Sequence, residues 1–193
     1  MKTLILLIDF YGHPALTTDN DSDSVRYSYL TEIIMSKLDK KDCVFFSTWI
    51  PKNAEKLLEL RKIAKDKGFV FEIPTKEESD LEDEVYSVDY IKSKFKDFNI
   101  DKTDTQIIVA GTNTSGCVFN KKGIGAYQWY RHGYKTKIYL PMCAEYEKKG
   151  INDFERNMLG ITSLFKKMQK LKCFYLKICE EIGDLILTYL SKK

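Results

Sequence analysis

The sequence lacks any long uninterrupted hydrophobic run. Its most apolar N-terminal stretch, LILLI at 4–8, is followed at once by Asp9, whereas a membrane-spanning helix needs about 20 apolar residues. The small-residue cleavage pattern of a secretory signal is also missing. We therefore expect a cytoplasmic protein with no membrane partner.

A strong excess of charge of either sign is absent as well. The 193 residues include 31 Lys and Arg against 28 Asp and Glu, which gives a formal net charge of +3. Dedicated nucleic-acid-binding proteins usually carry a basic excess gathered on one face, so this balance argues against a nucleic-acid partner. A chain of this length buries roughly 70% of its unfolded surface, and we expect one compact domain spanning 1–193.

The sequence has little that binds metals or nucleotides. His13 and His132 are its only histidines, and they show no metal-ligand spacing. Neither a GK[ST] ending nor a GxGxxG fingerprint occurs. The cysteines are odd in number and form no CxxC pair, which argues against a disulfide framework; they are Cys43, Cys117, Cys143, Cys173 and Cys179. We expect reduced thiols, no metal site and no cofactor.

What the sequence does have is a regular alternation of strand and helix patterns. Unbroken apolar runs are typical of parallel strands that helices cover on both faces. The alternation predicts an α/β fold, a doubly wound and mostly parallel sheet in a three-layer α/β/α arrangement. The predicted strands are 3–8, 42–49, 69–74, 105–111 and 136–141, and the predicted helices are 27–38, 53–68, 88–98, 125–133 and 153–169.

Three details of this prediction concern element ends and irregular segments. Asn53 is a candidate N-cap, and Gly68 is a candidate C-terminal stop of the second helix. The acidic stretch 75–87 is predicted to be a loop. The apolar stretch 172–190 fits either a strand or a helix.

Ligands of such sheets lie outside the C-terminal ends of the strands. The residues at those ends are therefore the candidates for function. They are Asp9 after the first strand, Thr48 and Trp49 after the second, Lys76 just past the third, and the turn 111–117 after the fourth.

Cys117 lies in the stretch IVAGTNTSGCVFN, where small residues follow a buried strand. If a helix begins near it, free backbone N–H groups would favour the thiolate and could bind an oxyanion. Gly111, Ser115 and Gly116 would let a substrate approach the backbone closely. The alternative is a buried thiol after a tight turn.

Asp9 and Lys76 are the other polar candidates. A carboxylate after an apolar strand is costly without a partner or a task, so Asp9 is either a cap of the following turn or a general base for Cys117. Lys76 would stabilise a nearby thiolate, although a surface lysine in a charged segment is the simpler interpretation. Phe10, Tyr11 and Trp49 either line a pocket for a flat small molecule or belong to the core.

The order of these pieces resembles the isochorismatase-like cysteine hydrolases, which include nicotinamidases and N-carbamoyl amidohydrolases. Gly111, Thr114, Cys117 and Val118 fit the G-x-x-T-x-x-C-V pattern of that superfamily, and LILLIDF resembles its opening strand with Asp9. RHGYKTKIYLPMCAE resembles the next strand and the small-residue turn after it. The resemblance runs from residue 3 to about residue 168.

This resemblance implies an Asp9–Lys76–Cys117 triad that cleaves an amide-like C–N bond of a small molecule through a thioester. It also implies a cis peptide bond between Thr112 and Asn113, which with the Cys117 N–H would form the oxyanion site, and a homodimer or homotetramer.

The sequence also departs from the family pattern. Thr48 and Ile50 stand where a metal-binding nicotinamidase has Asp and His, and FYGHP replaces the usual run after the first Asp. Lys92 and Lys94 are alternatives to Lys76. A non-catalytic α/β protein that binds a ligand or partner in the same pocket is the rival hypothesis. A redox protein is a weaker one, because Cys43 or Cys143 would reach Cys117 only through the fold.

Overall fold

The computed structural model describes residues 1–10, 22–49, 54–81, 84, 86–120, 123–145, 152–171 and 177–179. Tyr11, His13, Ile50, Asn53 and Cys173 lie outside the described residues, as does most of 172–190. The strands are β1 (Lys2–Ile8), β2 (Cys43–Ser47), β3 (Val70–Glu72), β4 (Thr105–Thr112), β5 (Lys135–Ala144) and β6 (Lys177–Cys179). The helices are α1 (Ser22–Lys37), α2 (Ala54–Asp66), α3 (Lys76–Ser79), α4 (Val88–Lys94), α5 (Ala126–Arg131) and α6 (Asp153–Lys170).

The described strands form one parallel sheet in the order β3-β2-β1-β4-β5-β6. Successive crossovers move outward from β1 through β2 to β3, and from β4 through β5 to β6. Because such crossovers are right-handed, reversing their direction places the helices of the two halves on opposite faces. The predicted three-layer, doubly wound α/β fold is confirmed.

The two central strands are apolar because both of their faces are covered. All eight residues of β4 are buried, as are Thr3–Ile8 of β1. Aromatic side chains extend this core toward the sheet edge. The Phe45 ring of β2 stacks on the Phe71 ring of β3, with their centroids 5.7 Å apart. It also meets the Phe69 ring edge-on, at 5.5 Å. A rigid centre of this kind fixes where β1 and β4 end.

Gly68 ends α2 as the sequence predicts. Its φ is 83°, a left-handed conformation that glycine adopts without steric cost. The Phe69 N–H donates to the Ala64 carbonyl at 2.9 Å and the Gly68 N–H to the Lys65 carbonyl at 2.8 Å. This pair of bonds is the Schellman arrangement that satisfies the last carbonyls of a helix.

The acidic stretch predicted as a loop contains the short helix α3, so that prediction is wrong in part. Thr75 caps the helix: its side chain accepts from the Glu78 N–H, and the Glu78 carboxylate accepts from the Thr75 N–H at 2.8 Å. This reciprocal capping box satisfies two donors that otherwise lack partners. The Thr-x-x-Glu spacing was present in the sequence, and its local signal outweighs the acidic composition.

β5 is longer than predicted and continues through Pro141 to Ala144. A register irregularity against β4, between Val109 and Gly111, accommodates the extra length. The strand therefore extends alongside the end of β4, with Gly111 paired to Cys143 and Thr112 to Ala144. β6, within the stretch left open as strand or helix, pairs with β5 as a strand.

None of the helices within the described ranges combines the length and apolar character that crossing a bilayer requires.

Candidate active site

The direction of the crossovers reverses between β1 and β4, and ligands of open α/β sheets bind at this point. Ile8, the last residue of β1, pairs with Gly111 of β4. Gly111 has a φ of 134°, and a Cβ built on it would lie 1.7 Å from the Ile8 carbonyl oxygen. Only glycine allows the two backbones to approach this closely, and the approach brings the start of the turn after β4 beside Asp9.

Asp9 is buried, with only 2% of its surface exposed. Its N–H donates to Thr48 Oγ1 at 2.7 Å, and the Thr48 hydroxyl donates to Asp9 Oδ1 at 3.3 Å. Asp9 has a φ of 47°. This left-handed conformation costs a non-glycine residue free energy, and it persists only where the surrounding structure holds it. Thr48, which directly follows β2, contacts both the backbone and the carboxylate of Asp9, and sequence patterns did not predict this contact.

Cys117 lies in a π-helical turn, Thr114–Val118, which we call the Cys117 turn. The Gly116 and Val118 N–H groups both donate to the Asn113 carbonyl, at 3.0 and 3.1 Å. The chain continues as a helical turn beyond Val118. The half-buried Cys117 is therefore close to the start of a helical segment, as its proposed chemistry requires.

The side chain of Asn113 reaches the sulfur. Its Nδ2 donates to Cys117 Sγ at 3.7 Å. A Cβ on Gly116 would lie 2.3 Å from the Asn113 amide atoms, so glycine at 116 is what makes room for this contact. A donor directed at sulfur stabilises a thiolate more than a thiol.

The predicted cis bond between Thr112 and Asn113 is wrong. Across the described residues no peptide bond is cis. The chain turns instead through left-handed φ angles at Gly111 and at Asn113, the latter with a φ of 63°, and the Asn113 N–H donates to the Ala144 carbonyl at 2.7 Å. Asn tolerates this conformation better than most residues, whereas a non-proline cis bond costs about 3–4 kcal/mol.

The lysines predicted near the thiol lie at the surface. Lys76 is the first residue of α3, and its side chain is exposed. It follows β3, three strand positions from β4, a separation of roughly 14 Å at the usual strand spacing. Lys92 is also exposed, and the Lys94 ammonium binds the Glu78 carboxylate at 2.7 Å. Asp9 and the Cys117 turn follow the adjacent strands β1 and β4, whereas the Lys76 side chain is exposed to solvent.

A different lysine contacts the Cys117 turn. The ammonium of Lys167, on α6, donates to the Ser115 carbonyl at 2.6 Å. This positive charge thus lies two residues along the chain from Cys117. Sequence reasoning missed it because Lys167 is one of several lysines near the end of α6, with no motif to distinguish it.

Glu145, directly after β5, also contacts the turn. Its carboxylate accepts hydrogen bonds from the Thr114 side chain and from the Thr114 and Ser115 N–H groups. Burial raises the pKa of Glu145, while those hydrogen bonds and the charge of Arg156 act in the opposite direction. The sequence placed Glu145 only in a small-residue turn.

The described aromatic candidates, Phe10 and Trp49, lie in the hydrophobic core or pack against it. Phe10 is fully buried in the hydrophobic core, which favours the core interpretation. Trp49 is half-buried, and its backbone N–H donates to the Tyr86 hydroxyl at 3.2 Å. Trp49 Nε1 and Thr112 Oγ1 are buried with no hydrogen-bond partner among the described residues.

The thiols of Cys43 and Cys143 are buried. Burial raises the pKa of the Cys43 thiol far above its ordinary value. The Cys143 Sγ donates to the Tyr139 carbonyl at 3.2 Å. Within the described ranges, no group of three His, Cys, Asp or Glu side chains could hold a metal ion.

Several solved structures resemble this chain. A nicotinamidase from Staphylococcus aureus superposes with a TM-score of 0.52 at 14% identity, covering 94% of this chain and 99% of that one. An isochorismatase-like hydrolase from Alkaliphilus metalliredigens gives 0.52 at 12%, covering 99% and 97%. An isochorismatase family protein from Desulfovibrio vulgaris gives 0.53 at 9%, covering 97% and 98%.

By sequence, the chain matches no protein-family model and no curated protein. The likeness is therefore one of three-dimensional structure along nearly the whole chain. Together with the strand order and the position of the Cys117 turn, it confirms the resemblance inferred from the motifs: this chain has the fold of the isochorismatase-like hydrolases.

Proposed function

We propose that the protein is a cysteine hydrolase that cleaves an amide-like C–N bond of a small molecule through a thioester. The observation that carries this proposal is that Asp9 and the Cys117 turn follow the adjacent strands β1 and β4, at the point where the crossovers reverse. The hydrolase neighbours of the same fold support it.

In the proposed reaction Asp9 accepts the thiol proton, and Cys117 Sγ attacks the carbonyl carbon. The resulting tetrahedral oxyanion is stabilised by backbone N–H groups of Cys117 and the turn before it. The intermediate collapses as Asp9 returns the proton to the leaving amine, which leaves a thioester. Asp9 then deprotonates a water molecule that hydrolyses the thioester and regenerates the thiol.

The Asn113 amide takes part by donating to Sγ. A donor at the sulfur lowers the free energy of the thiolate formed before attack. With the Thr112–Asn113 bond trans, the left-handed φ of Asn113 is what directs its side chain and the following N–H groups.

Two lysines compete for the role of the cation that keeps the Asp9–Cys117 pair ionised. Lys76 is the one that the resemblance implies. Lys167 is the one whose ammonium contacts the Cys117 turn. We assign the larger electrostatic effect to Lys167, because its ammonium contacts the Cys117 turn, whereas Lys76 follows β3, three strand positions from β4.

A small amide is the proposed substrate class, and Trp49 and Thr112 are proposed to contact it. The unpartnered Trp49 indole N–H and Thr112 hydroxyl can hydrogen-bond a polar substituent. A nicotinamidase shares the fold, and flat aromatic carboxamides are therefore the first compounds to test. We further propose that the protein is cytoplasmic and that it forms a homodimer or homotetramer. Light scattering measures the oligomeric state.

The rival candidate is a ligand-binding protein without catalysis. The exposure of Lys76, the residue that the resemblance places in the triad, favours it. In that case the end of the sheet where the crossovers reverse, between β1 and β4, would bind a small molecule and release it unchanged.

Trapping the acyl-enzyme separates the two candidates. The protein is mixed with a panel of small carboxamides and N-carbamoyl compounds, quenched in acid, and mapped by peptide mass spectrometry. A substrate should add its acyl mass to the Cys117 peptide, with release of ammonia or amine, and Cys117→Ser should abolish the adduct. Binding of a compound by calorimetry with neither adduct nor product would contradict the hydrolase proposal and support the rival.

A further inference from the structure

Glu145 contacts both α6 and the Cys117 turn. Its backbone is fixed at the end of β5, where the Glu145 N–H donates to Asn157 Oδ1 of α6 at 3.1 Å. Its side chain accepts from the Thr114 hydroxyl and from the Thr114 and Ser115 N–H groups. Those are the first two residues of the Cys117 turn.

α6 is shaped to receive this carboxylate. A Cβ on Gly160 would lie 2.0 Å from Glu145 Oε1 and 2.4 Å from its Cδ, so any larger residue at 160 would displace the side chain. Oε1 is buried without a hydrogen-bond partner among the described residues. The hydrogen bonds from the turn therefore belong to the other oxygen, Oε2.

This arrangement costs stability. A buried carboxylate with one unpartnered oxygen is expensive, and burial raises the pKa of Glu145 despite its three donors and the nearby Arg156. A neutral side chain at position 145 would stabilise the fold more than this carboxylate does. An unfavourable group held beside a reactive turn is the pattern found where function opposes stability.

We propose that Glu145 is a positioning residue for Cys117: its carboxylate anchors the first two residues of the Cys117 turn against β5 and α6, and so fixes the orientation of the thiol. The anchor rests on the geometry above, and its effect on reactivity rests on the proposed function of Cys117. The charged groups that face this contact are Arg156 and Lys167, both from α6. Ser115 is held from both sides, its N–H by Glu145 and its carbonyl by Lys167.

Two variants remove the anchor in different ways. Glu145→Ala deletes the carboxylate, and Gly160→Ala pushes it from its site without altering it. Glu145→Gln retains an acceptor oxygen. Glu155→Ala is the control, because Glu155 is an exposed residue of α6, the helix that carries Gly160. Two quantities are measured for each: hydrogen exchange of the Thr114 and Ser115 amides, and the alkylation rate of Cys117 at a pH where it is fully ionised.

In the wild-type protein we expect both amides to be protected. Glu145→Ala and Gly160→Ala should remove that protection and slow Cys117 alkylation by about tenfold, since a small misplacement of a reacting group carries penalties of up to about a hundredfold. Glu145→Gln should restore most of the rate, with an unfolding midpoint at pH 7 no lower than that of the wild type. Glu155→Ala should change neither quantity.

The outcomes separate this inference from the proposed function. Amide exchange unchanged by both anchor variants would overturn the anchor. Lost protection with an unchanged alkylation rate would overturn the positioning role while leaving the hydrolase proposal intact. A wild-type Cys117 no more reactive than Cys43 would overturn the positioning role together with the proposed function.

Discussion

Gly111 and Ile8 approach so closely that a single Cβ on Gly111 would lie 1.7 Å from the Ile8 carbonyl oxygen. This contact occurs where β1 and β4 end side by side at the centre of the sheet. Asp9 follows one of these residues directly, and the turn that carries Cys117 follows the other. The proposed chemistry depends on this junction, because it sets how the ends of the two strands lie relative to each other.

Gly111→Ala should therefore destabilise the protein strongly. The added Cβ would meet backbone atoms, which cannot rotate away, and the φ of 134° disfavours any other residue. We expect a loss of more than about 3 kcal/mol in the free energy of unfolding, measured by urea denaturation. Gly133→Ala is the control, because its φ is 85° but its nearest neighbour is a lysine side-chain atom at 3.7 Å; similar losses at both sites would contradict the account.

Thr48→Val should weaken the hold on Asp9. The substitution conserves shape but removes the hydroxyl that contacts both the Asp9 N–H and its carboxylate. Leaving these buried groups without their partner costs about 1–3 kcal/mol, which denaturant titration would detect, and Cys117 alkylation should slow. Thr48→Ser should restore both quantities, and Thr162→Val, on the exposed surface of α6, should alter neither.

Glu145 should make stability depend on pH. Its folded-state pKa is raised above the ordinary value of 4.5, so the unfolded chain loses this proton at a lower pH than the folded protein does. The stability contributed by Glu145 is fully present below about 4.5 and is lost as the pH rises through the raised folded-state pKa.

Because Gln does not titrate, the stability of Glu145→Gln relative to the wild type should increase from pH 4 to pH 7. Urea titrations at several pH values measure this difference directly. A flat profile for Glu145→Gln would show that the carboxylate is not buried as described.

The two candidate lysines should differ in their effect on the thiol. Lys167→Met removes a charge bonded to the Cys117 turn and should slow alkylation at pH 7 by about two- to fivefold, the range of a modest ion-pair contribution. Lys76→Met should have the smaller effect, and Lys166→Met, a neighbouring exposed residue, serves as control. A larger effect at Lys76 would show that the segment after β3 reaches the thiol in solution.

The sheet was predictable because its two central strands are apolar on both faces, a pattern typical of parallel strands that helices cover on both sides. Asp9 and Cys117 were predictable as candidates because each follows such a strand. The cis bond was predicted by resemblance, and the glycine and asparagine that turn the chain make it unnecessary here.

The partners of the site were harder to predict than the site itself. Thr48 follows β2, Glu145 follows β5 and Lys167 lies on α6. These three elements are far apart in the sequence, and no local motif links them. Lys76 shows the reverse error: its position after a strand was right, but sheet order places that strand three positions away, and sheet order is not encoded in any short stretch of sequence.

The most direct test of the central claim is the alkylation rate of each cysteine as a function of pH, assigned by peptide mapping. The account predicts that Cys117 reacts fastest, with a half-maximal rate at a pH below the value of about 8.5 for an ordinary thiol. Asp9→Asn should change that profile, although asparagine keeps an oxygen that can accept from Thr48 and tolerates the left-handed φ. Asp89→Asn, at an exposed position of α4, should leave the profile unchanged. If Cys117 reacts no faster than Cys43, or if Asp9→Asn leaves its profile unchanged, the claim that Asp9 and Cys117 act as a catalytic pair is wrong.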